Sequence, residues 1–533
     1  MLKCIRIKWQ FCYIPDNINL PRKEERVLNM RKFFTAIFCT LMSLVLVSEC
    51  ALAVNVDAFM DKHVAPVSDF IASIIFYQIN FFGQKVPLII FWILFAGIFF
   101  TIYFKGIAVW GFKHAIDTVS KPVEKGSSGC GEVSSFQALA TALSGTIGIG
   151  SIAGVAISIS IGGPGAAFWI FAGAILGMSI KFVEATLAVK YRRFNEDGSI
   201  SGGPMHYIAH GLTRKKLRWL GQPLSVIFAI LCIGGGITGG NMIQINQSTH
   251  QLLFITGGEH SFLYGCGWMF GLVVAILVGL VTVGGIKSIA KVTTVLVPTM
   301  CLMYIISGLI VILANIMNIP SAIGLIISEA FHPTSVAGGV IGTIIIGLRR
   351  SVQSNEAGTG AAAIVYATAQ TKEHVSQGFV ALLETFLTGV LCLFTSFAII
   401  FSGVLDMSSV GEISGIELAS NAFQSVIPFF PVILSVIAIL FALSTLISWA
   451  YYGQKAWTFL FGEGRKRALT FNLIYCVFIV IGSVMNVKSV IEITDAMMIA
   501  MCVPNIIALY ILCPEVKLDL ADYCKKHKLT KIF

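Results

Sequence analysis

From residue 86 onward the chain alternates long apolar runs with short polar ones. Each run is close to the ~20 residues that an α-helix needs to cross a bilayer. The pattern predicts eleven spans, at 86–104, 136–160, 164–189, 222–253, 262–285, 292–317, 338–365, 376–403, 428–452, 468–486 and 489–513. Two of them are interrupted in the same way. SGTIGIGSIAG at 144–154 holds four glycines, and SNEAGTGAAA at 354–363 holds Gly358 and Gly360. Glycine weakens a helix interior by up to ~1 kcal/mol relative to alanine. Clustered glycines therefore invite unwinding, and the freed backbone groups must line a cavity or bind something. Close helix packing through small residues is the competing explanation.

The placement of the two breaks adds to this. The first opens the first of the last ten spans and the second opens the sixth. Five is odd, so two five-helix halves insert with opposite orientation. Matched broken helices in inverted halves point to a secondary transporter with its site near the midplane. The expected fold is an all-α polytopic membrane protein, one extra helix followed by a 5+5 inverted-repeat core. The corresponding segments are 1–53 (extension and signal-type leader), 54–135 (outer segment, extra helix, loop), 136–317 (first repeat), 318–513 (second repeat) and 514–533 (basic tail).

Charge fixes the expected orientation. Only 12% of residues are charged, against 56% hydrophobic. Soluble proteins carry about 25% charged residues, so a soluble enzyme, a disordered scaffold and a nucleic-acid binder are excluded. The net charge of +10 comes from lysines and arginines gathered on alternate loops: Lys105 to Lys125, Lys190 to Arg218, Lys287 and Lys291, Lys372, Lys455 to Arg467, and the tail. The opposite loops hold Lys62, Lys85 and Lys488. Positive loops stay cytoplasmic, which puts the start of the first span outside, the C-terminus inside, and the protein in the plasma membrane, or the inner one of two. At the N-terminus, MRKFF from Met30, an apolar stretch and Ala51-Leu52-Ala53 form a signal-peptide pattern, with Met30 as a start and Ala53 as a cleavage point. An uncleaved extra helix is the alternative. The thirteen cysteines lack regular spacing and read as buried hydrophobes.

Candidate chemistry gathers at the first break, where N–H groups at the positive end of a broken helix suit an anionic group, here at Thr146, Gly148 and Gly150. In the fourth span Thr238, Asn241, Gln244 and Ser248 recur on one helical face, and such a stripe faces a cavity or another helix. In the ninth, Ser444 and Thr445 are adjacent hydroxyls and Trp449 lies one turn beyond Thr445. Among charges inside the spans, Lys181 and Glu184 are expected to pair at i, i+3, and Glu356 to brace the second break. Arg349 and Arg350 flank that break, while Glu384, Glu492 and Asp495 receive no role.

Several long motifs in order resemble the sodium:alanine (alanine/glycine:cation) symporters. They are the stretch 144–192, SGGPMHYI at 201–208, GGNMIQINQ at 239–247, GGIKSIAKV at 284–292, SNEAGTGAA at 354–362 and STLISWAYYGQK at 444–455. The resemblance runs from about residue 86 to 512. It implies a leucine-transporter-type fold and substrate contacts from Thr146, Gly148, Gly150, Asn241, Gln244, Gln353, Thr445 and Trp449. It also implies a sodium site made by Ser444, Thr445 and the backbone of Gly145, Gly148 and Phe441. The sequence departs from the family at Ile149 and Ser151, where GTGN is usual, and at Gln353, where phenylalanine is usual, in a segment one residue short. These changes allow a substrate larger or more polar than alanine.

No ATP-hydrolysing signature is present; GLVTVGGIKS at 279–288 lacks the Gly-Lys pair. No cofactor is implied, and the energy must come from an ion gradient. One charge crossing 100 mV yields about 2.3 kcal/mol, and a tenfold sodium gradient about 1.4 kcal/mol. One sodium ion per neutral amino acid thus sustains accumulation of several hundred-fold. Proton-coupled transport of another small metabolite, with Glu356 as carrier, is the alternative. A channel lacks a filter sequence here, and an enzyme lacks catalytic spacing in the spans.

Overall fold

The computed structural model describes residues 65–81, 84–120, 131–196, 198–261, 263–264, 266–332, 339–405, 415–485 and 487–529. The leader pattern, Met30 and Ala53 lie outside them. The principal helices are α1 (Leu88–Tyr103), α2 (Ser135–Thr146), α3 (Ala153–Gly162), α4 (Gly165–Lys190), α5 (Pro204–Arg214), α6 (Arg218–Ile237), α7 (Ile243–Ile255), α8 (Gly267–Thr282), α9 (Gly285–Ala314), α10 (Gly339–Asn355), α11 (Ala363–Tyr366), α12 (His374–Phe401), α13 (Phe430–Phe461), α14 (Arg465–Gly482) and α15 (Val487–Lys526). Six helical stretches among the described residues are long and apolar enough to cross a membrane, and α2 with the segment Ile149–Gly162 forms one more, bent by 64°. The described strands form two short antiparallel pairs, Gln78–Phe81 with Gln84–Pro87 and Arg193–Phe194 with Ile200–Ser201, and Val133 makes a single parallel bridge to Ala369.

Each of the predicted runs from 86 onward overlaps helix, and several helices run well past the predicted ends, α13 to Phe461 and α15 to Lys526. The pattern did not reveal α5, which lies between two spans, or the shorter helices Ala65–Ile75, Ile319–Phe331 and Ile416–Gln424. These are too short or too polar to register as spans.

The start of α2 is fixed by a reciprocal cap, in which the Gln137 amide donates to Ser134 Oγ and the Ser134 amide donates to Gln137 Oε1. At the periphery, α9 turns Val295, Leu302, Ile306, Leu309 and Leu313 outward at helical spacing, an apolar stripe suited to lipid. At the centre, α4 lies along α12 through small residues. A Cβ on Gly378 would sit 2.2 Å from Thr186 Oγ1, and one on Gly389 2.7 Å from Ala174 Cβ. This close packing holds a rigid frame against which the two breaks are set.

Candidate functional site

Between α2 and α3 the chain leaves the helix at Ile147, extends through Gly148 (φ −110°, ψ −170°), and re-enters through a 3₁₀ turn at Ile149–Ser151. The Ile149 amide, freed from the helical ladder, donates to Gln244 Oε1 at 3.0 Å. Gly148 is required by space, because a Cβ there would lie 2.7 Å from both Gln244 Oε1 and Thr445 Oγ1. At Gly150 a Cβ would meet nothing within 4 Å, since it faces an opening.

The second break, 356–362, lies between α10 and α11. Gly358 (φ 92°) and Gly360 (φ 75°) adopt backbone that other residues rarely take, and Glu356 does so at φ 54°. The Gly358 amide donates to Glu184 Oε1 (3.0 Å), and Asn505 Nδ2 bridges Glu184 Oε1 and the Gly358 carbonyl, each at 2.7 Å. Tyr207 in turn donates to Asn505 Oδ1. Glu184, expected to pair with Lys181, is therefore the brace of the break. Lys181 binds Glu384 on α12 instead, at 2.9 Å and with both side chains buried. The expectation fails because an i, i+3 spacing only makes a local pair available, whereas a facing helix offers the ammonium a second carboxylate in water-free surroundings. Glu356 does not brace the break with its side chain either. Its Oε1 accepts from Trp449 Nε1 at 3.0 Å, which fixes the indole of α13.

The first break, Glu356 at the start of the second, and Trp449 of α13 line a cavity together with residues of α10 and α15. Thr146, Gly148, Gly150, Gln244, Gln353 and Trp449 line it, as do Gly145, Arg350, Glu356, Thr494 and Asp495. The Thr146 hydroxyl is turned to its own helix, toward the Ala142 and Leu143 carbonyls at 3.3 Å. Asn241 and Thr445 do not line the cavity. Asn241 Nδ2 donates to the Tyr475 carbonyl of α14 at 2.8 Å. The polar stripe of the fourth span is split because residues Thr238–Met242 form a π-helical turn. A π-turn inserts about one extra residue, so Asn241 and Gln244 no longer share a face. That turn brings Gly240 so close to α13 that a Cβ would lie 2.1 Å from Trp449 Cγ.

Beside the first break, four oxygens converge. Thr445 Oγ1 donates to the Ser144 carbonyl (3.1 Å) and the Phe441 carbonyl (3.0 Å), and Ser444 Oγ approaches the same two at 3.4 and 2.9 Å. Of the backbone groups named from sequence, Phe441 belongs to this cluster, while the Gly148 carbonyl accepts from the Ser151 amide at 3.1 Å. The Ser144 carbonyl was missed. Its neighbours Ser144 and Ser448 also stitch α2 to α13: Ser144 Oγ donates to the Ser444 carbonyl at 2.6 Å and Ser448 Oγ to Ser144 Oγ at 2.9 Å. At the other wall Arg349 on α10 pairs with Asp495 on α15 at 2.5 Å. Asn505, in the second break's frame, had a sequence signal in being a carboxamide inside an apolar run.

The sodium:alanine symporter family model matches residues 69–532. This chain belongs to that family. The sodium/alanine symporter AgcS of Methanococcus maripaludis is 35% identical over 429 residues, which cover 80% of this chain and 92% of that protein. A probable sodium/glutamine symporter, GlnT of Bacillus subtilis, is 33% identical over 440 residues, covering 82% and 87% of the two chains. A putative sodium/proton-dependent alanine carrier, YrbD of the same organism, is 34% identical over 427 residues, covering 77% and 85%. Among solved structures, MhsT in complex with L-phenylalanine superposes with a TM-score of 0.51 at 15% identity, covering 72% of this chain and 89% of that one. The likeness establishes the leucine-transporter-type fold. The chain is thus a multi-pass membrane transporter of the amino-acid symporter type, not an enzyme.

Proposed function

We propose that this protein carries a small neutral amino acid into the cell together with sodium, by alternating access around the two breaks. The observation that carries the reading is the cavity itself, which Gly148, Gly150, Gln244 and Trp449 line beside the four-oxygen cluster. Backbone N–H groups at Gly148 to Gly150 serve the substrate carboxylate. Trp449, held by Glu356, closes the wall. Sodium is a hard cation that prefers oxygen, and the Ser144 and Phe441 carbonyls with the Ser444 and Thr445 hydroxyls supply neutral oxygen ligands. In this reading 136–317 and 318–513 are the inverted five-helix repeats, preceded by the extra helix α1, and the C-terminal tail is cytoplasmic. The names of the relatives include both alanine and glutamine, so membership leaves the side chain of the substrate open.

The test is uptake of labelled alanine and glutamine into proteoliposomes under an inward sodium gradient and under an inward proton gradient. Sodium is expected to drive uptake, and uptake that follows only the proton gradient sinks the sodium reading. One observation favours the proton-coupled alternative: Glu356 lines the cavity, and its Oε2 is buried without a hydrogen-bond partner among the described residues. Under that alternative Glu356→Gln abolishes coupling, whereas Ser444→Ala and Thr445→Ala are mild. Under the sodium reading Ser444→Ala and Thr445→Ala weaken sodium coupling.

A further inference from the structure

The cavity wall contributed by α10 is polar in a way that an alanine methyl group does not use. Gln353 lines the cavity, and both its Oε1 and its Nε2 are shielded from water with no hydrogen-bond partner among the described residues. Because both ends of the amide are orphaned, exchanging oxygen and nitrogen changes nothing. Buried polar groups are paired in nearly all native structures, and an exception calls for a missing partner. One turn earlier on the same helix, Arg350 also lines the cavity and is buried, with its Nε donating to Ser158 Oγ at 3.1 Å and its Nη1 packed over Gly154. The guanidinium only donates; the Gln353 amide donates and accepts.

We infer that Gln353 and Arg350 form a side-chain subsite for an amino acid bearing a carboxamide, glutamine or asparagine. This rests on the amino-acid symporter reading above and names its substrate class. A carboxamide is complementary to another carboxamide through two reciprocal bonds. Its N–H donates to Gln353 Oε1 and its carbonyl accepts from Gln353 Nε2, with a lone pair left for Arg350. An alanine methyl satisfies neither end. A side-chain carboxylate accepts from Nε2 and Arg350 but leaves Oε1 without a donor, and it enters a cavity already lined by Glu356 and Asp495. A site built to hydrogen-bond a polar group rejects an analogue lacking it far more strongly than an apolar pocket rejects an extra group, so the neutral carboxamide is selected over both.

The experiment measures initial uptake of L-glutamine, L-asparagine, L-alanine and L-glutamate into proteoliposomes of the full chain under a sodium gradient. Wild type is compared with Gln353→Met, which keeps the volume and removes the hydrogen bonds, and with Gln353→Leu. Each variant is first checked for a monodisperse size-exclusion profile. For wild type, kcat/KM of at least one carboxamide amino acid is expected to exceed that of alanine and of glutamate by about tenfold or more. In either variant that passes the check, the carboxamide-to-alanine ratio should fall by about tenfold. Equal or better kcat/KM for alanine or glutamate in wild type, or a ratio unmoved by both variants, overturns the subsite while amino-acid symport stands. Failure of well-folded wild type to take up any of the four overturns the symporter reading and the subsite with it.

Discussion

The two breaks use the same backbone device and opposite chemistry. At the first break the partners are neutral: the freed Ile149 amide meets the Gln244 amide oxygen, and the Ser144 carbonyl just before the break meets the Thr445 hydroxyl of α13. At 356–362 the freed groups meet charge: Glu184 takes the Gly358 amide, Asn505 clamps the carbonyl, and Lys181 with Glu384 stands behind. A neutral break can exchange its partners for a ligand at small cost. A break held by buried charge cannot, because any unpaired charge left behind is expensive in a low dielectric. The first break is therefore suited to bind and release, and the second to hold its shape while α10 and α15 present the opposite wall.

The largest effect should come from the charged side. Lys181→Met leaves Glu384 buried without its cation and is expected to lower stability by ~3–5 kcal/mol, read as a drop in melting temperature of the detergent-purified protein. Adding Glu384→Leu should restore much of it. If the single variant melts like wild type, the second break is not held by charge. On the neutral side, Gly148→Ala places a methyl against Gln244 and Thr445, and overpacking of this kind costs ~1–3 kcal/mol. With a tenfold effect per ~1.4 kcal/mol, transport should fall roughly 10- to 100-fold without loss of the folded state. Ser444→Ala and Thr445→Ala, each removing one oxygen near the Ser144 carbonyl, should raise the half-saturating sodium concentration by about tenfold, the effect of losing a hydrogen-bond-sized contact to a charge. Unchanged sodium dependence in both places the ion elsewhere.

The smallest effect lies outside the membrane frame, at the entrance to α12. Burial alone would raise the Glu373 carboxyl, but hydrogen bonds from Lys526 and His527 hold it below its ordinary value. A depressed carboxylate stabilises the fold above its unfolded pKa, and that contribution is lost as pH falls through the lower, folded one. Glu373→Gln should cost less than ~1 kcal/mol at neutral pH, since the group is partly exposed. It should also flatten the acid limb of a melting-temperature profile. An acid limb identical to wild type contradicts the pairing.

How much of this could be read from sequence differed between the breaks. Both were legible because glycine marks unwound backbone whatever surrounds it, and Gln244, Trp449, Ser444 and Thr445 were legible because polar or aromatic residues inside apolar runs need a reason. Asn241 was misplaced because a helical period of 3.6 is blind to a π-turn; the Gly239-Gly240 pair, with Gly239 tight against Met498 and Gly240 tight against Trp449, was the available hint. The partner of Lys181 was missed because Glu384 lies 203 residues away, and distance along the chain gives no access to which helices face each other. The Ser144 carbonyl was invisible because every residue has one, and only the fold decides which carbonyls converge.

The central claim is that a cation and an amino acid pass together through the cavity between the breaks. It is tested most directly by labelled sodium entry into proteoliposomes, counted alongside amino-acid entry at clamped membrane potential, in wild type and in the Ser444→Ala, Thr445→Ala double variant. The account predicts sodium entry that requires the amino acid, in a fixed ratio to it, and that is lost in the double variant. Amino-acid entry at the same rate with potassium replacing sodium, and no sodium movement coupled to it, would contradict the account.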